Sequence, residues 1–284
     1  VNTIATATVP TAALLAPRAN FWQRLAAPAL RGAAAFWFCM AALGQLAFVV
    51  YIVAFYGGAV LRGQPQLWNK VLTPGYVPGD TVGNLALAAH LLVAIAVTAG
   101  GMLQLVPAIR RNWPRLHRWN GRVFMVCAVL GSAAGLLMVW TRSAPGDLSQ
   151  NIGISVSALL NFAFAGLALR YALARQFDVH RRWAMRLFLT VNAGWFFRIG
   201  LMLWIIVNRG PVGFDEKTFT GPFLTFLSFA DYLVPLAVLE LYFRVQASRA
   251  PAKQLAMAAG LGVLTLAMTG GIAAAAGILW LPHL

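Results

Sequence analysis

Residues 83–111 read GNLALAAHLLVAIAVTAGGMLQLVPAIRR. From Gly83 to Ile109 the one ionisable side chain is His90, and the stretch then ends on Arg110 and Arg111. A helix rises about 1.5 Å per residue, so about 20 apolar residues cross the hydrocarbon core of a bilayer. The stretch is therefore a membrane span that runs into a basic surface loop. The same pattern recurs along the chain. Seven stretches qualify, at about 33–58, 83–108, 122–141, 152–174, 184–208, 223–245 and 256–281.

Composition agrees. The 284 residues are 60% hydrophobic and only 10% charged, and helices that face lipid as well as one another need such a balance. Charge is lopsided, with 22 Lys+Arg against 7 Asp+Glu. In a water-soluble domain that excess would suit nucleic acid. Here the basic residues lie between apolar stretches, so the expected partners are the bilayer and its anionic headgroups, not nucleic acid. Cys39 and Cys127 fall inside apolar stretches and read as small buried hydrophobes.

The connections alternate in charge. Arg18, Arg24 and Arg31 precede span one; Arg110, Arg111, Arg115 and Arg118 follow span two. Arg175, Arg181 and Arg182 follow span four, and Arg244, Arg249 and Lys253 follow span six. The intervening connections are nearly neutral, pairing Arg62 and Lys70 with Asp80, Arg142 with Asp147, and Arg209 and Lys217 with Asp215 and Glu216. Cytoplasmic loops carry the Lys and Arg excess. The expectation is an all-α polytopic membrane bundle with its N-terminus in the cytoplasm and its C-terminus outside. Residues 1–32 form a basic cytoplasmic segment that is not a cleaved leader, and 33–281 form the transmembrane domain. The Gly- and Pro-rich loop at about 59–82 is either a cover for the outer end or a plain connector.

One word occurs twice at the basic surface, as HRWNGRVF (117–124) and HRRWAMRLF (180–188). Each opens a span, so spans two–three and four–five read as duplicated hairpins. Three readings fit His117, Arg118, Arg122, His180, Arg181 and Arg186. Arg and Trp anchor helices at headgroup depth. Clustered Arg at two helix N-termini also suits an anion or a lipid headgroup. Paired histidines at matching depth suit the two axial positions of a b-type haem, with Arg beside its propionates.

A second group lies deeper. His90, Arg198 and Asp231 fall roughly 10–15 Å below the outer boundary by helical rise, with Asn161 at a similar level. Polar residues at that depth are costly and usually functional. An Arg and an Asp at one level are expected to pair, because either alone is an unpaired buried charge. Gln104 shares the His90 face through Ala94, Val97 and Gly101. His90, Gln104, Asn161, Arg198 and Asp231 thus form the expected outer-half polar pocket. Glu240, four residues before Arg244, is expected to pair with it at the boundary.

His90, Gly101 with Gln104, Arg110 and Arg111, His117-Arg118, Gly121-Arg122, His180-Arg181, Trp183, Met185, Arg186 and Arg198 carry a resemblance. Over about residues 85–205 the chain resembles predicted bacterial membrane proteins of the domain-of-unknown-function 2306 family. The resemblance implies a multi-pass bacterial membrane protein and implies no activity, substrate or cofactor. Two bis-histidine haems would need four histidines within the spans, and Asn161 stands where a partner for His90 would be expected. No phosphate-binding Gly-rich loop, zinc spacing or GxSxG word is present.

The sequence therefore points to a bacterial inner-membrane protein that binds a small polar or anionic ligand, or relays protons, through the outer-half pocket, with a basic anion or lipid site at the cytoplasmic face. The alternative is a haem-b electron carrier or oxidoreductase using His117 and His180. The charge alternation makes the orientation testable. A reporter fused at the C-terminus should be active only outside the cytoplasm and one fused after Arg175 only inside; the reverse at either point overturns the assignment.

Overall fold

The structure is a computed structural model that describes residues 21–71, 75–141, 146–248 and 250–284. Arg18, Arg142 and Arg249 of the charge pattern lie outside the described residues. The architecture is all-helical. The first helix, α1 (Phe21–Tyr51), continues through a π-helical turn, Ile52–Gly57, into the short α2 (Gly58–Leu61). Then follow α3 (Thr81–Leu105), α4 (Pro107–Asn112), α5 (Pro114–Thr141), α6 (Leu148–Leu173), α7 (Phe177–Val191), α8 (Ala193–Asn208), α9 (Pro222–Ala247) and α10 (Pro251–Ala275). Six helical segments are long and apolar enough to cross a membrane, and α7 with α8 make a seventh span if that pair is counted as one.

That pair is bent by 51° at Asn192, a break absent from the expected continuous span 184–208. Side chains explain how the chain can turn there. Thr190 Oγ1 donates to the Arg186 carbonyl at 3.1 Å, and Asn192 Nδ2 donates to the Phe188 carbonyl at 2.7 Å. The Phe188 carbonyl, one of the last four of α7, is thus satisfied by a local side chain, as an apolar medium requires where a helix breaks, and the Thr190 bond to Arg186 is of the kind that bends a helix. The α8 ladder restarts with the Trp195 and Phe196 amides, both on the Asn192 carbonyl.

Two packing centres hold the bundle. One joins Phe48, Tyr51 and Phe55 to Leu87 of α3, Trp195 and Ile199 of α8, Leu224 and Leu227 of α9, and Met268 of α10. The other joins Val97, Phe124, Ala128, Ala165 and Leu187, from α3, α5, α6 and α7. Small residues mark the crossings, as they do where lipid supplies no hydrophobic drive between helices. A Cβ on Gly271 would lie 2.5 Å from the Ile199 carbonyl oxygen, and one on Gly153 2.7 Å from that of Ser228. Large apolar side chains such as Leu46, Val50, Leu85, Leu92, Leu159 and Leu266 are exposed, and these outer faces contact the lipid bilayer. Cys39 is also exposed, contrary to the expectation of burial: it sits on such an outer face, where a small apolar side chain needs no protein cover.

The loop after α2 is more than a connector. Trp68, on the 3₁₀ turn Pro65–Lys70, is buried and donates its indole N–H to the Tyr56 carbonyl at 3.1 Å. It packs edge-on against the Tyr56 ring, so this loop closes one end of the first packing centre.

The α8–α10 crossing gives a prediction. Gly271→Ala must push α10 off a backbone oxygen and should destabilise the protein by about 1–3 kcal/mol, the usual cost of overpacking. Gly260→Ala, on the same helix with open space around it, should be neutral or slightly stabilising in thermal unfolding in detergent. Equal melting temperatures for the two variants would contradict this packing.

Candidate functional site

The five expected pocket residues do not share one site. Gln104 Nε2 donates to the His117 carbonyl at 2.9 Å and ties the end of α3 to the start of α5. Asn161 Nδ2 donates to Ser132 Oγ at 3.0 Å and ties α6 to α5. Arg198 and Asp231 form no ion pair, which corrects the expected pairing. The reason is angular. Helix α9 meets α8 where Leu227 lies against Gly200. Arg198 is two residues away, so it points to the opposite side of α8. Equal depth did not mean a common face.

Arg198 belongs instead to a group formed by α8, α1 and α3. Its Nη1 donates to the Gly194 carbonyl at 2.7 Å, which folds the guanidinium back over the first turn of α8. The guanidinium carbon lies 5.5 Å from the centre of the Phe48 ring. Tyr51, Tyr56 and His90 are within electrostatic range. The Arg198 side chain keeps accessible surface although many protein atoms lie around it. The close backbone neighbours of α8 are α10 and α9, and side chains bridge the gap to α1 and α3.

On the same three helices several buried polar atoms lack a hydrogen-bond partner: both amide atoms of Gln45, Trp195 Nε1 and His90 Nδ1, while the Tyr51 hydroxyl meets that of Tyr56. Gln45 is only 1% exposed, so neither amide atom reaches the outer surface. A Cβ on the adjoining Gly44 would meet the Trp195 ring at 3.0 Å, so this stretch of α1 lies against the Trp195 side chain of α8. Leaving such groups unmatched costs about 1–3 kcal/mol each, and the cost is unusual to find repeated at one place. The set is rich in donors: guanidinium, indole N–H, amide NH₂ and phenol. The start of a 16-residue helix adds amides that point outward along the axis. Gln45, Tyr51, Tyr56 and Trp195 were not picked out from the sequence. Gln45, an amide inside span one, was the available signal.

At the basic face the two repeated words occupy equivalent positions. His117 and His180 are each the fourth residue of their helices, and each backbone N–H closes the first turn, onto Trp113 at 3.0 Å and Gln176 at 2.9 Å. The two imidazoles are within electrostatic range of each other, with Arg110 and Arg118 beside His117. His180 Nδ1 bonds the Ala168 carbonyl at 2.8 Å, whereas His117 Nδ1 is buried without a partner.

The remaining arginines of this group are drawn elsewhere. Arg122 lies over Trp119, with its guanidinium carbon 5.0 Å from the ring centre. Arg181 faces Tyr242 of α9. Arg186 lies 4.4 Å over Trp183 and donates Nε–H to Glu240 Oε1 at 2.6 Å. Glu240 therefore pairs across helices, not with Arg244 as expected. Arg186 is held in a half-buried groove where it needs a counter-charge, while the exposed Arg244 is open to solvent.

Outside the spans, Asp215 sits in the loop between α8 and α9. Backbone and hydroxyl donors of Thr218 and the Lys217 amide hold its carboxyl below the usual carboxylate range. This arrangement is a local turn, with no link to the groups above.

No curated protein sequence and no solved structure gives a significant match to the chain. Residues 87–215, from α3 to the loop after α8, match the family described as "Predicted membrane protein (DUF2306)", and the chain is a multi-pass membrane protein.

Proposed function

We propose that this protein binds a small organic anion, such as a carboxylate on an apolar body, inside the membrane at the start of α8. One observation carries the reading: Arg198 has no acidic partner among the described residues, and unpartnered buried groups lie on its own helix at Trp195 and within its electrostatic range at His90. An arginine in hydrocarbon needs a counter-charge, and a half-helix N-terminus favours a negative group at the same place. Phe48, Trp195 and Tyr56 supply aromatic walls, which favour an organic body over a bare halide. The charge alternation supports the bacterial cytoplasmic membrane, with the His117/His180 face inward, where it would meet anionic headgroups.

The test uses purified protein in detergent with benzoate, acetate or inorganic phosphate against chloride at equal ionic strength. Benzoate should raise the melting temperature most, through binding to the folded state alone. Arg198→Met should weaken that response at least tenfold in apparent affinity, about 1.4 kcal/mol. If none of these anions stabilises the protein, or if Arg198→Met responds like wild type, the reading fails.

A second reading rests on His180. If its Nδ1–H donates to Ala168, Nε2 is left free to ligate, next to His117 in basic surroundings suited to propionates. A b-type haem there would make the protein an electron carrier or oxidoreductase. Protein from haem-sufficient cells should then show a near-stoichiometric Soret band that either His→Ala change removes. Absence of the band ends that reading.

A further inference from the structure

We infer that Asp231 is a proton-binding site in the membrane interior, holding a proton on its carboxyl at rest and exchanging it through its partly accessible side. The inference goes beyond the anion site, which it neither shares nor requires. Asp231 lies nine residues into α9, roughly 13 Å along the helix. Its Oδ1 is buried and has no hydrogen-bond partner. The residue as a whole keeps partial accessibility.

Among the described residues no counter-charge is within reach. Helix α9 packs against α6, α7, α8 and α10. From α7, Arg182 and Arg186 face Phe243 and Glu240, and Arg181 faces Tyr242, all about nine or more residues beyond Asp231 towards the basic end. Before α6, Asp147 meets Thr225 at 3.4 Å, near the other end of α9. On α8, Arg198 points away. On α10 the charged side chain is Lys253, in the first turn at the basic end. On its own helix the titratable neighbour is Tyr232, fully buried with its hydroxyl unpartnered. A carboxylate without a cation in hydrocarbon takes a proton instead.

The local backbone adds a reason for exchange at this place. Pro235 has no N–H to give the Asp231 carbonyl, so that oxygen lacks its regular helical donor. A neutral carboxyl can donate its O–H to such an acceptor, and a proton leaving the carboxylate has a polar neighbour on its path.

Dicyclohexylcarbodiimide, which attacks protonated carboxyls in apolar surroundings, tests this on the full chain in lipid nanodiscs. Peptide mapping should find the adduct on the Asp231 peptide at mildly acidic pH, with labelling that falls reversibly as pH rises. Asp231→Asn should remove the adduct, and Arg198→Met should keep it, so failure of the anion reading leaves this result standing. Wild-type labelling alone decides if a variant misfolds. No adduct at Asp231, or labelling indifferent to pH, overturns the inference. So does protection by sodium at constant pH, which would show a metal cation on the carboxylate in place of the proton.

Discussion

The turn at Asn192 is the constraint on which the arrangement depends. In hydrocarbon a helix can be interrupted only where the freed backbone groups find other partners. Asn192 provides one for the Phe188 carbonyl at the end of α7, and α8 then starts afresh. That fresh start brings a helix N-terminus next to Arg198, which folds back over the same turn. A continuous helix would have kept those amides in its own ladder. The cation, the amides and the unmatched groups of α1 thus gather at one place because one span is really two.

Much of this was readable from residue order. Uninterrupted apolar runs such as 83–109 define spans because every backbone group in lipid must be bonded within its own helix. The small residues of the span-seven stretch, Gly271 among them, fit a packing role. Angular position was not readable. Depth follows from counting residues, but direction depends on which neighbour a helix meets. Gly200 meets α9, and Arg198 therefore cannot. The same gap hid the Arg186–Glu240 pair, since a local spacing of four favoured Arg244 while the groove between Trp183 and Phe243 held the arginine that needed a partner. The break at 192 carried no proline, and its signal was a Thr and an Asn bonding backward within an otherwise apolar run.

The two ends of the bundle differ in chemistry. Helices α3 and α6 begin with Asp80 and Asp147, whose carboxylates accept from Gly83 and Gln150 amides. Helix α5 begins instead with Pro114 and Arg115, and α7 with Phe177 and Asp178, with a histidine closing the first turn of each and arginines following it. Acidic residues suit the partial positive charge of a helix start, and a basic turn opposes it. The start of α5 is therefore kept at some cost to helix stability, and the arginines of this end are placed to meet anions outside the chain.

The contact of Gly271 with the Ile199 carbonyl has a mechanical meaning. It clamps α8 backbone-to-backbone against α10, with no side chain between them to yield. Across the bend, α7 reaches α9 through the Arg186–Glu240 pair, in which the carboxylate is 39% exposed and open to water or to competing ions. Helix α7 is also packed along α6, with Leu187, Phe188 and Leu189 buried. One half of the bent span is thus fixed by a backbone contact, and the other combines side-chain packing with an ion pair. Salt or lipid charge at the basic face acts on that ion pair, and the Gly271 contact does not feel it.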